Sequence, residues 1–438
     1  MLRRLAVVAV AGVVIIFGET RSPGVISAEM AVPLMKSTEA PDVCLMPPDN
    51  GYGARAVQAG AQAKIPTVLD VPGDWPGKDV IGGDVPPVRV VADPYPTFDG
   101  IAVDPDNGIV VMSDENRSGL FTYDRMAGGK SAAITEPKRH IVGPRTDLGF
   151  IAGVTLDPKN REAWVVNNDG GGIDIFSYDQ HGDVTPIREL DVPHQSWGLS
   201  LDLTRQEVAV TSQQYQGITI YARTAKGTER PLRTIRGDGT QLADPHGVFL
   251  DGVNNEVFAA NHGNWTEMRS YADDVVLLPG EYKAGRFEQP SIRIYKGDAN
   301  GNVAPIRTIQ GKRTQLAWPM GMHMSRERNE LAVANYGSNG ILIFSRTAAG
   351  DTAPVRVLAG ARTGIVGPIG VGFDTKNNEL WVANYGDHTA LVFDIDAAGN
   401  VEPKRIIRNA PAGTPTTGFT NASAAAFDSK RNELLVPN

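Results

Sequence analysis

The chain has 438 residues, 41% of them hydrophobic and 21% charged, with a formal net charge of −8. That balance excludes a disordered or collagen-like chain, and the acidic surplus argues against nucleic acid and anionic membranes as partners. One cysteine, Cys44, excludes an internal disulfide and any thiolate-based zinc or haem motif.

Arg3 and Arg4 precede an apolar run from Leu5 to Gly18, and Ile26-Ser27-Ala28 offers a cleavage site. Residues 1–28 therefore read as an export signal, too short to span a bilayer. The expected mature chain is secreted or periplasmic, with no transmembrane span. Residues 29–64, rich in Pro, Ala and Gly, read as an irregular leader. Residues 65–438 read as one repeat domain.

The repeat is anchored on an aspartate. Gly100 to Asp104, Gly153 to Asp157, Gly198 to Asp202, Gly247 to Asp251, Gly321 to Ser325, Gly370 to Asp374 and Ala424 to Asp428 align as seven copies. A second segment follows each, clearest in Glu330–Asn335, Glu379–Asn384 and Glu433–Asn438. A third reads like Ile218–Tyr221 or Ile341–Phe344, and a fourth is Pro-x-Arg. All are short, rich in Val, Ile, Phe and Tyr, and bounded by Gly, Asn, Asp or Pro, which is a strand signal.

Four short strands per ~50 residues make one propeller blade. The predicted fold is all-β, a seven-bladed β-propeller. The last copy stops after two strands, while a Pro-x-Arg strand, Pro87 to Arg89, precedes the first. The predicted closure therefore uses N-terminal strands to complete the C-terminal blade. Pro86 to Val91 is the outermost strand and Ile65 to Val71 the candidate third. The glycines that open the inner strands read as packing positions. Arg89, Arg139, Arg188, Arg233, Arg307, Arg356 and Arg405 read as ion pairs or carbonyl caps between blades. The expected ring is monomeric.

The succession Pro-x-Gly-Val-x-x-Asp, Glu-Leu-x-Val-Ala-Asn-Tyr-Gly and Ile-x-Ile-Phe, fullest between Pro368 and Phe393, resembles NHL-type and YVTN-type propellers. The resemblance covers about residues 86–438. It implies the fold, and it spans ligand-binding scaffolds, lactonase-like hydrolases, streptogramin-lyase-like enzymes and the amidating lyase. Fold does not choose among these.

Two loop sets of such a ring meet at one mouth of its channel. The first set here holds Asp99, Trp197, His246, Met320 and Ile369. The second holds Asp114, Asn167 to Asp169, Gln213, Asn261-His262, Asn335-Tyr336 and Asn384-Tyr385. The asparagines read as turn caps. His246 and His262, of one blade, and His323, of the next, form a candidate cluster, since nearby histidines bind metals or move protons. An insertion at 264–288, holding Trp265, starts two residues after His262, and long loops on rigid scaffolds commonly carry function. The candidate ligand-binding set is His246, His262, Trp265, His323, Tyr336, Tyr385, Asp169 and Asp114.

The expected function is a non-catalytic, extracytoplasmic scaffold that binds a small ligand or a protein at the insertion-bearing mouth. No cofactor is required. The alternative is a metal-dependent lyase or hydrolase, lactonase-like or streptogramin-lyase-like, in which the histidines hold a divalent cation at the same mouth. As loop-end residues, His246 and His262 are expected to contribute at most ~1 kcal/mol each to stability.

Overall fold

The computed structural model describes residues 95–131, 133–168, 170–263, 288–414 and 430 in full. It also describes the backbone of strands Val13–Gly18, Arg89–Ala92, Asn264–Trp265, Arg286–Phe287, Ala426–Asp428 and Glu433–Val436. The chain divides into two compact units. One holds Tyr95–Thr416 with Cys44–Arg55, and the other holds the remaining N- and C-terminal segments.

In the larger unit each repeat folds into a four-stranded antiparallel meander. The innermost strands are Phe98–Asp104, Ile151–Asp157, Ser196–Asp202, Pro245–Asp251, Pro319–Ser325 and Pro368–Asp374. They open blades one to six, at 98–141, 151–191, 196–236, 245–310, 319–359 and 368–408. The terminal aspartate makes the first hairpin turn. Asp104 accepts from the backbone N–H groups of Asp106 and Asn107, both at 3.0 Å, and Asp157, Asp251 and Asp374 serve Asn160, Asn254 and Asn377 likewise. This side-chain turn is why Asp marks the register so regularly.

Each innermost strand packs on the next, and Pro368–Asp374 packs directly on Phe98–Asp104. Among the described residues the ring therefore has six blades, not the seven read from the repeat count. The opening glycines explain the tight closure. A Cβ on Gly153 would lie 2.7 Å from the Trp197 carbonyl oxygen, one on Gly321 2.5 Å from that of Ile369, and one on Gly370 2.8 Å from that of Asp99. Each glycine thus meets the backbone of the next blade, and the last meets the first. The apolar layer agrees, because Phe98, Met112, Phe121 and Tyr123 of blade one share a buried cluster with Trp381, Ala390, Val392 and Ile407 of blade six. At the rim, outer strands bridge to the following blade, ending with Ile406 against Gly129.

The seventh aspartate register and the first Pro-x-Arg strand belong to the other unit. There Arg89–Ala92, Val13–Gly18, Glu433–Val436 and Ala426–Asp428 form a four-stranded sheet in that order. The two chain ends do share one sheet, as the strand count implied, but the six-bladed ring closes without it. The strand between them is Val13–Gly18, from the apolar run assigned to export. Ile65 to Val71 and the leader 29–64 lie outside the described residues.

The Pro-x-Arg arginines pair mostly within a blade. Arg233 grips Glu207 at 2.7 and 2.6 Å, and Arg405 grips Glu379 at 2.7 and 3.0 Å. Between blades they cap carbonyls: Arg405 donates to the Arg125 oxygen at 3.1 Å and Arg307 to that of Arg346 at 3.2 Å. Arg356 also makes an ion pair between blades, with Asp396 at 3.0 Å, and further such pairs come from arginines just after the third strand. Arg223 reaches Glu162 at 2.7 Å, Arg346 reaches Glu256 at 2.8 Å, and Arg125 reaches Glu379 at 2.8 Å.

Candidate functional site

The ladder of each innermost strand slips near its start, between Phe98 and Ile101, Ile151 and Val154, Ser196 and Leu199, Pro245 and Val248, Pro319 and Met322, and Pro368 and Gly370. Such an irregularity frees one residue from pairing and re-aims it. Asp99, Trp197, His246, Met320 and Ile369 stand there, and all five line a cavity of about 70 Å³ at the channel. That is room for about two waters.

The asparagines of the second set fasten the loops. Asn335 accepts from the Ala317 N–H at 2.8 Å and donates to the Gln315 oxygen at 2.9 Å, and Asn384 does the same with Val366 at 2.6 Å and Gly364 at 2.9 Å. Asp114 holds this register in blade one. It accepts from the N–H groups of Thr97, Asn116 and Arg117. Its oxygens are therefore occupied by the loop, which gives this candidate ligand residue a structural task.

His246 and His262 are stacked, with ring centroids 3.8 Å apart and planes 13° from parallel. Both are buried, at 6% and 5% exposure, so they are packed groups rather than loop-end decorations. Beside them is Asp244, which sequence reasoning passed over although it sits two residues before His246. Its carboxylate oxygens lie 3.4 Å from His246 Nδ1 and 3.3 Å from His262 Nδ1. Burial, reinforced by the adjacent His262, pushes the His246 imidazole down to about 3. His262 Nε2 meets the Met320 thioether at 3.2 Å.

Asp244, His246 and His262 bring their ligand atoms within 4.8 Å of one another. Two stacked rings nevertheless hold their lone pairs nearly parallel. They cannot both aim at one ion at bond lengths of about 2 Å. One ring must swing out before this triad chelates a metal.

His323 does not join the pair. Its Nδ1 accepts from the Phe373 N–H at 3.2 Å, and its ring packs edge-on to Phe249 at 5.7 Å. It belongs deeper on its strand, and burial pushes it down to about 4.

The stacked pair continues on both sides. Phe150 meets Trp197 at 5.5 Å, Trp197 meets His246 at 4.6 Å, His262 meets Trp318 at 5.5 Å, and Trp318 meets Tyr336 at 6.3 Å. This run of rings passes from blade two to blade five along the mouth. Trp318 is half exposed and has a left-handed backbone, φ 48°, where the next blade has Gly367 at φ 55°. For a bulky residue that conformation costs about 1–3 kcal/mol and clusters at functional places. Sequence reasoning missed Trp318. The signal was a tryptophan in a register that the next blade fills with glycine.

Tyr385, of blade six, accompanies an acidic corner. Burial first, then the Glu115 carboxylate, pushes its hydroxyl far up, with Asp99 and Tyr336 adding to the effect. Asp99 is 1% exposed, and among the described residues neither of its carboxylate oxygens has a hydrogen-bond partner. Burial and then the charge of Asp114 raise it to about 8. Asp114 itself rises to about 7 through burial, against the pull of its N–H donors.

The insertion begins and ends as a two-stranded ladder, Asn264–Trp265 with Arg286–Phe287. The Glu288 N–H donates to the Gly263 oxygen at 2.7 Å, which ties its base to the strand that ends at Asn261-His262. The Trp265 side chain, residues 266–285 and Asp169 lie outside the described residues.

No protein-family model matches the chain, and no curated protein matches it. Among solved structures it is similar to hydrazine synthase of Kuenenia stuttgartiensis, at 13% identity and a TM-score of 0.47, over 70% of this chain and 79% of that one. It is also similar to a chain in a nidogen/laminin complex, at 15% identity and a TM-score of 0.44, over 71% of this chain and 94% of that one.

Proposed function

We propose that this propeller is a ligand-binding scaffold whose site is the mouth built by Trp197, His246, His262, Trp318 and Tyr336. The observation that carries this reading is the run of ring contacts from Trp197 through the buried His246–His262 pair to Trp318 and Tyr336, in which Trp318 is strained and half exposed. A rigid scaffold that presents ring faces loses little entropy when a ligand docks on it. The chain is also proposed to be exported.

The test is quenching or enhancement of tryptophan fluorescence by a chemically diverse small-molecule set, in the wild type and in His246→Ala and Trp318→Ala. Saturable signals that weaken at least tenfold in either variant support the reading. Signals equal in all three proteins, or none at millimolar ligand, overturn it. Metal analysis of untagged protein separates the lyase or hydrolase alternative, which requires a stoichiometric divalent ion. The N-terminal residue of cell-expressed protein tests export. Cleavage after Ala28 would remove the strand Val13–Gly18 that joins Arg89–Ala92 to Glu433–Val436, so an intact Met1 overturns it.

A further inference from the structure

We propose that His262 Nε2 and the Met320 thioether bind one copper(I) ion, with the buried Asp244 carboxylate as its counter-charge. This goes beyond the reading of the mouth as an organic-ligand site and does not depend on it. A neutral imidazole carries a proton on one ring nitrogen only. The His262 ring meets an acceptor at each nitrogen: Asp244 Oδ2 lies 3.3 Å from Nδ1, and the Met320 sulfur lies 3.2 Å from Nε2. The carboxylate is much the stronger acceptor, so the proton belongs on Nδ1. Nε2 then turns a bare lone pair on the lone pairs of a thioether. All three side chains are buried, so water does not relieve the contact. Two buried acceptors held against each other mark the place of a shared Lewis acid.

The donor set identifies that acid. A thioether is a soft ligand and suits copper(I), whereas calcium, magnesium and manganese take oxygen ligands. Charge points the same way. Among the described residues the ionic partners of Asp244 are His246 and His262 alone, and burial keeps His246 neutral. One positive charge balances the carboxylate, and a divalent ion would leave a buried charge uncompensated. Bonds of about 2.0–2.3 Å span donors 3.2 Å apart with an angle of about 100° at the ion, and the flexible Met320 side chain can turn its sulfur to open that angle. Neither histidine has to leave the stack, because the site uses one imidazole and not two. His246 and Met320 both line the channel cavity, which offers the ion a route and a water for a further coordination position. The pairing is also particular to one joint of the ring. Blade four alone places a histidine just after its second strand, where the others have Glu115, Asn168, Gln213, Tyr336 and Tyr385. Blade five alone places a sulfur at the second residue of its inner strand.

The experiment is a competition for copper(I), kept reduced by ascorbate in the absence of oxygen, between the chelator bicinchoninate and the full chain carrying Cys44→Ser. That substitution removes the thiolate that would bind copper by itself. One equivalent of copper(I) is expected to pass from the chelator to the protein. Met320→Leu, close in volume and unable to ligate, should weaken this binding at least tenfold in the same background. X-ray absorption of the loaded Cys44→Ser chain should show sulfur as well as nitrogen bound to copper, a readout that holds even if Met320→Leu misfolds by circular dichroism. No transfer from the chelator, an undiminished affinity in folded Met320→Leu, or a copper shell without sulfur each overturns the proposal. So does a proton that stays on His262 Nε2, by nitrogen NMR, in the presence of excess copper(I), which would make the contact an N–H···S bond. Zinc chloride that displaces copper(I) one for one overturns it as well. Organic-ligand binding by the mouth survives each of these results.

Discussion

The contact between blades six and one decides whether the ring has six blades, and one ion pair probes it directly. Arg125 follows the third strand of blade one and reaches Glu379, at the start of the second strand of blade six, across 2.8 Å with side-chain exposures of 14% and 5%. In a seven-bladed ring an entire blade would separate these residues. The gross attraction at this distance is about 6 kcal/mol at an effective dielectric of about 20. Withdrawal of both groups from water cancels most of it. Arg405 also holds Glu379 at 2.7 and 3.0 Å, so the loss of Arg125 leaves the carboxylate paired. Burial alone would raise Glu379; Arg405, Arg125 and Lys404 together hold it below the ordinary carboxylate range. The expected coupling is therefore about 1–2 kcal/mol. The assay is a double-mutant cycle with Arg125→Met and Glu379→Gln, followed by urea unfolding with a probe of the ring such as buried Trp381. A coupling below about 0.3 kcal/mol would refute the six-blade closure.

Gly321→Ala places a methyl 2.5 Å from the Ile369 oxygen and should cost about 1–3 kcal/mol, whereas Gly129→Ala, with only the Ser131 nitrogen at 3.9 Å, should stay within about 0.5 kcal/mol; equal midpoints in urea would contradict the packing described. His246 and His323, held at about 3 and about 4, take up protons in the unfolded chain before the folded one. Stability should thus fall as pH drops from about 6.5 toward 4. Asp99 and Asp114 act in the other direction, since the folded chain keeps protons that the unfolded chain has lost above about pH 4. Their contribution falls as pH rises toward 8. Asp99→Asn should therefore lose less melting temperature than the wild type between pH 5 and 8, and parallel curves would show that Asp99 is ionised throughout.

The candidate site was legible in part. His246 and His262 were joined by register alone, because one residue opens an inner strand and the other follows the second strand of the same blade. Asp244, Trp318 and the exceptional state of Asp99 were not legible. Whether a carboxylate finds donors depends on loop paths set by other blades, as the contrast between Asp114 and Asp99 shows. His323 was grouped with the pair because it stands on the innermost strand of the next blade. Its place further along the strand puts it against Phe249 and Phe373 instead.

The strand repeat, the turn-making aspartates and the close-packed glycines were determined by the sequence itself, since each recurs in a fixed register and the turns rest on contacts within one blade. The number of blades was not. Counting aspartate registers and Pro-x-Arg strands gives seven of each, but a count of blade-like segments does not say which inner strand lies beside which. That is settled by how far each blade turns about the axis and by whether Gly370 can reach the backbone of Asp99. It does: a methyl group on Gly370 would lie only 2.8 Å from the Asp99 carbonyl oxygen. The ring therefore closes on six blades, and the seventh set of strands pairs elsewhere.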